Sequence, residues 1–184
     1  MKKHLLALSL GLSAAVAGTS VYANTGTIHF EGKIKNSTCP IEIINPEDGS
    51  VGNQVKMGSI EASRFTAVDQ EYRGKSFALR VSGGPGCGLK PADNTAKVTF
   101  NGTAHADDSD YFAVTSTPDG AGGVAISLRD RSGASIAPGT SSVDYDLADT
   151  GSTDMVFNAY YRSITLPVTA GAASADVPFI VTIN

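Results

Sequence analysis

Apolar and polar positions alternate along nearly the whole chain, and the cleanest runs lie towards its two ends. In Thr27-Ile28-His29-Phe30-Glu31-Gly32-Lys33-Ile34, the apolar residues Ile28, Phe30 and Ile34 share one face. In Val177-Pro178-Phe179-Ile180-Val181-Thr182-Ile183-Asn184, one face carries Val177, Phe179, Val181 and Ile183. A period of two sends successive side chains to opposite sides, which predicts a half-buried strand in each place. Between them, Cys39, Ile41 and Ile43 share a face, and Phe77, Leu79 and Val81 alternate with Ala78 and Arg80. Val98 and Phe100 lead into the turn Asn101-Gly102, and Phe112 and Val114 precede Pro118-Asp119-Gly120. Val124, Ile126 and Leu128 run into Asp130-Arg131-Ser132-Gly133, and Met155, Phe157, Ala159 and Tyr161 follow. Asp144 and Asp146 alternate with Val143 and Tyr145 as an exposed strand face does.

Short strands separated by Gly, Asn, Asp and Pro turns predict a single all-β sandwich. A short helical turn fits only between Ile60 and Val68. No internal repeat, low-complexity tract or interdomain linker interrupts the pattern.

The first residues read as a secretory leader. Lys2 and Lys3 supply a positive start, Leu5 to Val16 an apolar stretch, and Val21-Tyr22-Ala23 a small-residue cleavage site between Ala23 and Asn24. The apolar stretch is shorter than the roughly 20 residues that span a bilayer. Removing residues 1–23 leaves 161 of the 184, the size of one domain, with no further run of spanning length. Without Lys2 and Lys3, 12 basic residues face 18 acidic ones, a formal charge of −6. A mildly acidic chain with no Lys/Arg stripe argues against nucleic acid as a partner.

Cys39 and Cys87 both survive processing, and an even count in an exported protein reads as one disulfide. The alternative is two free or metal-binding thiols, which no CxxC or neighbouring His supports. Closing a 48-residue loop stabilises a fold by about 4 kcal/mol on the chain-entropy view.

Motifs for catalysis are missing. The chain holds no GxSxG elbow, no HExxH, and no Gly-rich loop ending in Lys-Ser/Thr. Gly83-Gly84-Pro85-Gly86-Cys87-Gly88 has the glycines of a phosphate cradle, but no helix pattern follows, so it reads as a turn around a cysteine. His29 sits on the polar face of the first strand with no nucleophile in view. Asp107-Asp108-Asp110 lacks the spacing of a calcium loop and reads as a solvated loop. Neither a cofactor nor a metal site is expected.

Both terminal strands are candidate edges, and an edge with unpaired N–H and C=O groups invites another chain. If the sandwich lacks one strand, the groove beside the C-terminal strand is open to β-strand addition by a neighbour's N-terminal segment. Ile28, Phe30 and Ile34 would then enter successive pockets. Gly32, on the same face, suits close backbone approach. The alternative is that the first strand completes its own sandwich, giving a monomeric secreted binding module.

The chain resembles the subunits of chaperone–usher fimbriae, the type 1 fimbrial pilin family. The resemblance rests on Gly26 to Ile34 followed by Cys39, Val98-Thr99-Phe100-Asn101-Gly102-Thr103, Gly123 to Asp130, and Phe157-Asn158-Ala159-Tyr160-Tyr161 with the alternating end. It implies an immunoglobulin-like β-sandwich that is incomplete, its missing last strand supplied in trans. On that resemblance, residues 1–23 are the signal peptide, 24–35 a donor extension and 36–184 the pilin domain. Ile28, Phe30, Gly32 and Ile34 are donor positions. Val177, Phe179, Val181 and Ile183 lie on the strand that pairs first with a periplasmic chaperone and then with the donor. Cys39 and Cys87 form the family's disulfide. The implied partners are neighbouring pilins, the chaperone and an outer-membrane usher, and the implied destination is a surface fimbria. Two positions depart from the family: Ile183 stands where Tyr is usual, and Pro178 lacks an N–H.

The reading that follows is a structural fimbrial subunit supporting adhesion and biofilm formation, and not an enzyme. With 161 residues there is no room for a lectin domain ahead of the pilin domain. A major shaft subunit is expected, the alternatives being a minor linker pilin or the monomeric module.

Overall fold

The computed structural model describes residues 39–45, 48–84, 87–89 and 94–184. The leader with its Ala23/Asn24 boundary, His29, and the positions Ile28, Phe30, Gly32 and Ile34 lie outside the described residues.

The alternation closes into two antiparallel sheets. The first holds β1 (Ile41–Ile44), β2 (Glu71–Ser82), β8 (Ser152–Ser163), β5 (Val124–Arg129) and β4 (Phe112–Ala113) in that spatial order, with β6 (Ser135–Ile136) also on β5. The second is β7 (Tyr145–Leu147), β3 (Asn94–Phe100) and β9 (Phe179–Ile183). Among the described residues the one helical piece is a 3-10 turn, Ala62–Arg64, within the stretch expected for it.

Register decides which side chains meet. β2 opposes β8 with Phe77 against Phe157 and Leu79 against Met155, and β5 extends that face with Ile126 against Tyr161 and Leu128 against Ala159. From the second sheet, β3 lays Ala96, Val98 and Phe100 over them, all at most 3% exposed. The Phe100 ring meets Phe157 edge-on at 5.1 Å, and Phe77 lies against Phe157 at 5.6 Å. Each such pair contributes about 0.5–1.5 kcal/mol beyond its buried area. Three rings from two sheets therefore pin the sandwich at its centre.

Polar groups fix the periphery. The Tyr145 hydroxyl donates to the Val156 carbonyl at 2.7 Å and accepts the Arg131 N–H at 3.1 Å, linking β7 to β8. Asp130, 3% exposed, accepts the Ser132 hydroxyl at 2.6 Å, the N–H groups of Ser132 and Ala134, and, through its other oxygen, the Val143 N–H. Burial pushes this carboxyl up, but the hydrogen bonds led by the Ser132 hydroxyl outweigh it and hold it below the ordinary carboxylate value. On the first sheet's outer face, Glu71 receives both Arg129 and Arg162, and the Arg162 guanidinium lies 4.4 Å from the Tyr111 ring centre. Between Tyr72 and Lys75, β2 carries one residue more than β8. Gly74 in that bulge lies under the Tyr160 ring, where any Cβ would collide.

Towards its end, β1 is buried on both faces. Ile41 and Ile43 share the core-side face as expected, opposing Val81 and Leu79, and Cys39 and Ile43 pack against the core; the deepest residue of β1 is nevertheless Ile44, at 1% exposure, while Ile41 is 38% exposed. After Ile44 the chain turns back, Val51 bridges Ile44, and the Gly52 N–H reaches the Ile43 carbonyl. That return covers Ile44. Ile43 points between the sheets and stays half-buried because the space there is unfilled.

Cys39 and Cys87 are joined in a disulfide, with Cα atoms 4.7 Å apart, tying the chain before β1 to the chain after β2. Replacing Cys39 with Ser should lower stability by about 2–5 kcal/mol and reduce the yield of folded protein. A denaturant midpoint equal to that of the parent would contradict this. Asp130→Asn turns an amide towards the Val143 N–H and should cost about 2 kcal/mol at neutral pH. Because the folded carboxyl is held below 3.8, its contribution is full above that value and fades as pH falls through the lowered one. The gap between parent and variant melting temperatures should therefore close below about pH 4, as melts recorded from pH 2 to 7 would reveal.

Candidate functional site

Among the described residues, β9 has β3 on one side and no strand on the other. Thr95 and Asn184 exchange both backbone hydrogen bonds, and the Asn101 N–H donates to the Pro178 carbonyl at 2.7 Å. In an antiparallel pair the bonded positions alternate. Even-numbered residues of this strand therefore bond to β3, and the N–H and C=O groups of Phe179, Val181 and Ile183 point the other way. The same parity accounts for Pro178. It directly precedes β9, and its missing N–H falls on the β3 side, so the open edge loses no donor.

Side chains on this rim alternate as cleanly as the backbone. Ala173, Ala175, Val177, Phe179 and Val181 are half-buried, whereas Ser174, Asp176, Pro178, Ile180 and Thr182 are exposed. Gly102 lets Val177 sit this deep, since a Cβ there would come within 3.2 Å of Val177 Cγ2 and 2.6 Å of the Phe112 ring. Ile183 opposes Ala96 and is 37% exposed.

Facing this rim is the stretch 53–60, which makes no ladder with any described strand. Val55, Met57 and Ile60 are half-buried, and Gln54, Lys56 and Gly58 are exposed. Between the rims lies a groove of about 480 Å³ floored by Phe77, Leu79, Phe100, Ile126, Leu128 and Ala159. A second cleft of about 370 Å³, under Ile60, Phe65, Val124 and Val168, continues it. Tyr161 and Ala173 line both. The Tyr161 hydroxyl donates to the Ala173 carbonyl at 3.0 Å, and burial pushes its pKa up, so it stays a neutral donor. Residues 53–57 face 173–179 in the first cleft, and 58–62 face 168–173 in the second. The rims therefore run antiparallel.

Nothing in this arrangement suggests bond-making chemistry. Among the described residues no group of three His, Cys, Asp or Glu side chains is placed to hold a metal. His105 Nδ1 accepts the Asp107 N–H and Asp108 accepts the Asp110 N–H, so these side chains brace their own loop. No helix among the described residues is long and apolar enough to cross a membrane. What the site offers is one row of backbone groups, unpaired among the described residues, above a strip of apolar floor.

Of the residues expected on the groove strand, Phe179, Val181 and Ile183 lie in β9 and Val177 two residues before it. The opposite rim was missed, although Val55 and Met57 alternate with Gln54, Lys56 and Gly58. Ala173 and Ala175 were missed because methyl groups give a weak periodic signal.

The described residues thus form a β-sandwich in which one strand edge is unpaired beside an apolar groove. The family model described as "Fimbrial protein" matches residues 28–184. A relative from Escherichia coli O157:H7, "Probable major fimbrial subunit LpfA", is 31% identical, covering 97% of this chain and 95% of its own. Among solved structures, a type I fimbria protein of Burkholderia pseudomallei is 30% identical with a TM-score of 0.55, covering 78% of this chain and 88% of that one. The P pilus rod subunit PapA, 20% identical, shares the fold with a TM-score of 0.59, covering 79% of this chain and 99% of its own. The chain belongs to the fimbrial protein family and is a structural pilin, and its homologues are structural subunits, not enzymes.

Tyr161→Phe keeps the ring and removes only the bond to Ala173. It should cost about 1 kcal/mol of stability, read as a lower urea midpoint with unchanged slope.

Proposed function

We propose that this protein is the major shaft subunit of an extracellular fimbria, polymerising head to tail as each copy lays residues 24–35 into its neighbour's groove. The observation that carries this reading is the edge of β9, free among the described residues, above an apolar groove they leave open. A strand entering there would satisfy the Phe179, Val181 and Ile183 backbone groups by β-strand addition. Ile28, Phe30 and Ile34 would cover the floor, and burying three such side chains contributes roughly 5–9 kcal/mol before ordering costs. Gly32, on the same face, suits close approach of two backbones.

Donor and acceptor surfaces differ, so the contact is heterologous and extends as an open filament. Until a neighbour arrives the groove needs a temporary occupant. This is the role of a periplasmic chaperone, with an outer-membrane usher as the place of exchange. The names of relatives, a probable major fimbrial subunit and a pilus rod subunit, support a shaft role. Adhesion and biofilm formation follow at the level of the fibre.

Phe30→Asp places a charge on the apolar floor and should abolish fibres while leaving the subunit folded in its chaperone complex. Electron microscopy of cells expressing the parent, Phe30→Asp and a deletion of residues 24–35 reads the outcome. Fibres of normal length from either variant would refute the proposal.

A further inference from the structure

Packing requires glycine at position 102, because a Cβ there would approach the Phe112 ring to 2.6 Å and Val177 Cγ2 to 3.2 Å. The residue before it is Asn101, so the only Asn-Gly step of the chain lies against the β9 rim. The side-chain carbonyl of an asparagine stands one five-membered ring away from the N–H of the next residue. A glycine, with no Cβ, leaves that N–H unshielded.

Whether such a step reacts depends on whether its two groups are already engaged. Asn101 follows the last residue of β3, in backbone that belongs to no strand, and is exposed. Among the described residues no hydrogen bond engages its carboxamide or the Gly102 N–H. The chain on either side is held. Asn101 N–H donates to the Pro178 carbonyl at 2.7 Å, Gly139 N–H to that of Phe100 at 2.8 Å, and Ala113 N–H to that of Thr103 at 2.8 Å. The step is therefore fixed at both ends and free in the middle. The two Asp-Gly steps, which could close the same ring, differ. Gly49 N–H donates to the Asn45 carbonyl at 2.8 Å and Gly120 N–H to that of Thr117 at 3.0 Å. Asn158 is occupied too, its carboxamide oxygen accepting the Ser76 hydroxyl at 2.9 Å, and its successor lies in β8.

We propose that Asn101 is a self-modifying residue whose conversion alters the groove rim. The Gly102 nitrogen gives its proton to hydroxide and bonds to the side-chain carbonyl carbon of Asn101. The bond from that carbon to the amide nitrogen breaks, and ammonia leaves with a proton taken back from water. Water then opens the cyclic imide. Opening at the side-chain carbonyl leaves a carboxylate on an unchanged main chain. Opening at the main-chain carbonyl leaves the carboxylate there and routes the chain through the side-chain methylene. This second product lengthens the main chain by one carbon directly before Gly102, where Phe112 and Val177 leave no space for one. Val177 is thereby displaced from the rim.

The full folded chain, as isolated from expressing cells, is held in neutral and in mildly alkaline buffer. Peptide mass spectrometry and enzymatic methylation of isoaspartyl residues follow it. Exchange of carboxamide for carboxylate should accumulate at Asn101 about tenfold faster than at any other asparagine among the described residues, and faster still in the alkaline buffer. Asn101→Gln, one methylene too long for the five-membered ring, should abolish the signal while matching the fresh parent in urea midpoint. The isoaspartyl fraction of aged parent should unfold at lower urea, whereas Asn101→Asp, with the charge on an unaltered main chain, should match the fresh parent. An Asn101 that survives in the folded chain but converts once the chain is unfolded would overturn the proposal, because the fold would then be withholding the step. An isoaspartyl fraction as stable as the fresh parent would overturn the effect on the rim. Neither outcome depends on what fills the groove.

Discussion

Everything in this molecule turns on the outer edge of β9. Backbone N–H and C=O groups are obligatory hydrogen-bonding groups, and a buried row of them must be paired. Here Phe179, Val181 and Ile183 hold theirs towards a groove whose floor is aromatic and aliphatic. Water can serve the edge, but it cannot serve the floor. The site is therefore unfavourable in two ways when empty, and one object relieves both. A β-strand with alternate apolar side chains pairs with the edge and covers the floor at once. No small molecule has that shape, and no isolated helix offers backbone groups to the edge.

The remainder of the fold keeps this unfinished site from collapsing. Phe77, Phe100 and Phe157 pack across the two sheets beneath the groove, so the floor belongs to the core and stays in place while the groove is open. The Tyr145 hydroxyl and the Asp130 carboxylate hold the side of the sandwich away from the groove. The disulfide fixes the chain before β1, and the 53–60 rim follows that strand after the return that bridges Ile44 and Val51. Tyr161 joins the floor to the other rim through Ala173. Rigid supports on either side of an open space are what allow an incoming strand to find a preformed slot, which lowers the ordering cost of binding.

The centre of the fold was legible because its residues obey a single rule. Phe77 to Val81, Val98 to Phe100, Val124 to Leu128 and Met155 to Tyr161 alternate in sequence and alternate in space, each buried by a strand of the same chain. Legibility fails where burial comes from elsewhere. Ile44 is deep because a return of the chain covers it, which the parity of Cys39, Ile41 and Ile43 does not encode. Val55 and Met57 are half-buried in a stretch that has no ladder to announce it as a strand. Ala173 and Ala175 extend the β9 rim with methyl groups too small to mark a period. Gly74 and the bulge around it depend on the Tyr160 ring, a contact between residues far apart in sequence. Pro178 looked like an interruption until the register showed which side of the strand loses the donor.

These difficulties share a cause with the function. A segment that is a strand only when a neighbour supplies the next one carries half of a strand's signal. Its apolar face is present, and on the proposed function its pairing partner is in another molecule. Folding and assembly then draw on one free energy. Whatever fills the groove binds the folded chain and not the unfolded one, and so stabilises the fold by mass action. On the proposed strand exchange, the occupant within a filament is tethered and always at hand, so each subunit's sandwich would be held closed by its neighbour. On that proposal, polymerisation would be the last step of folding.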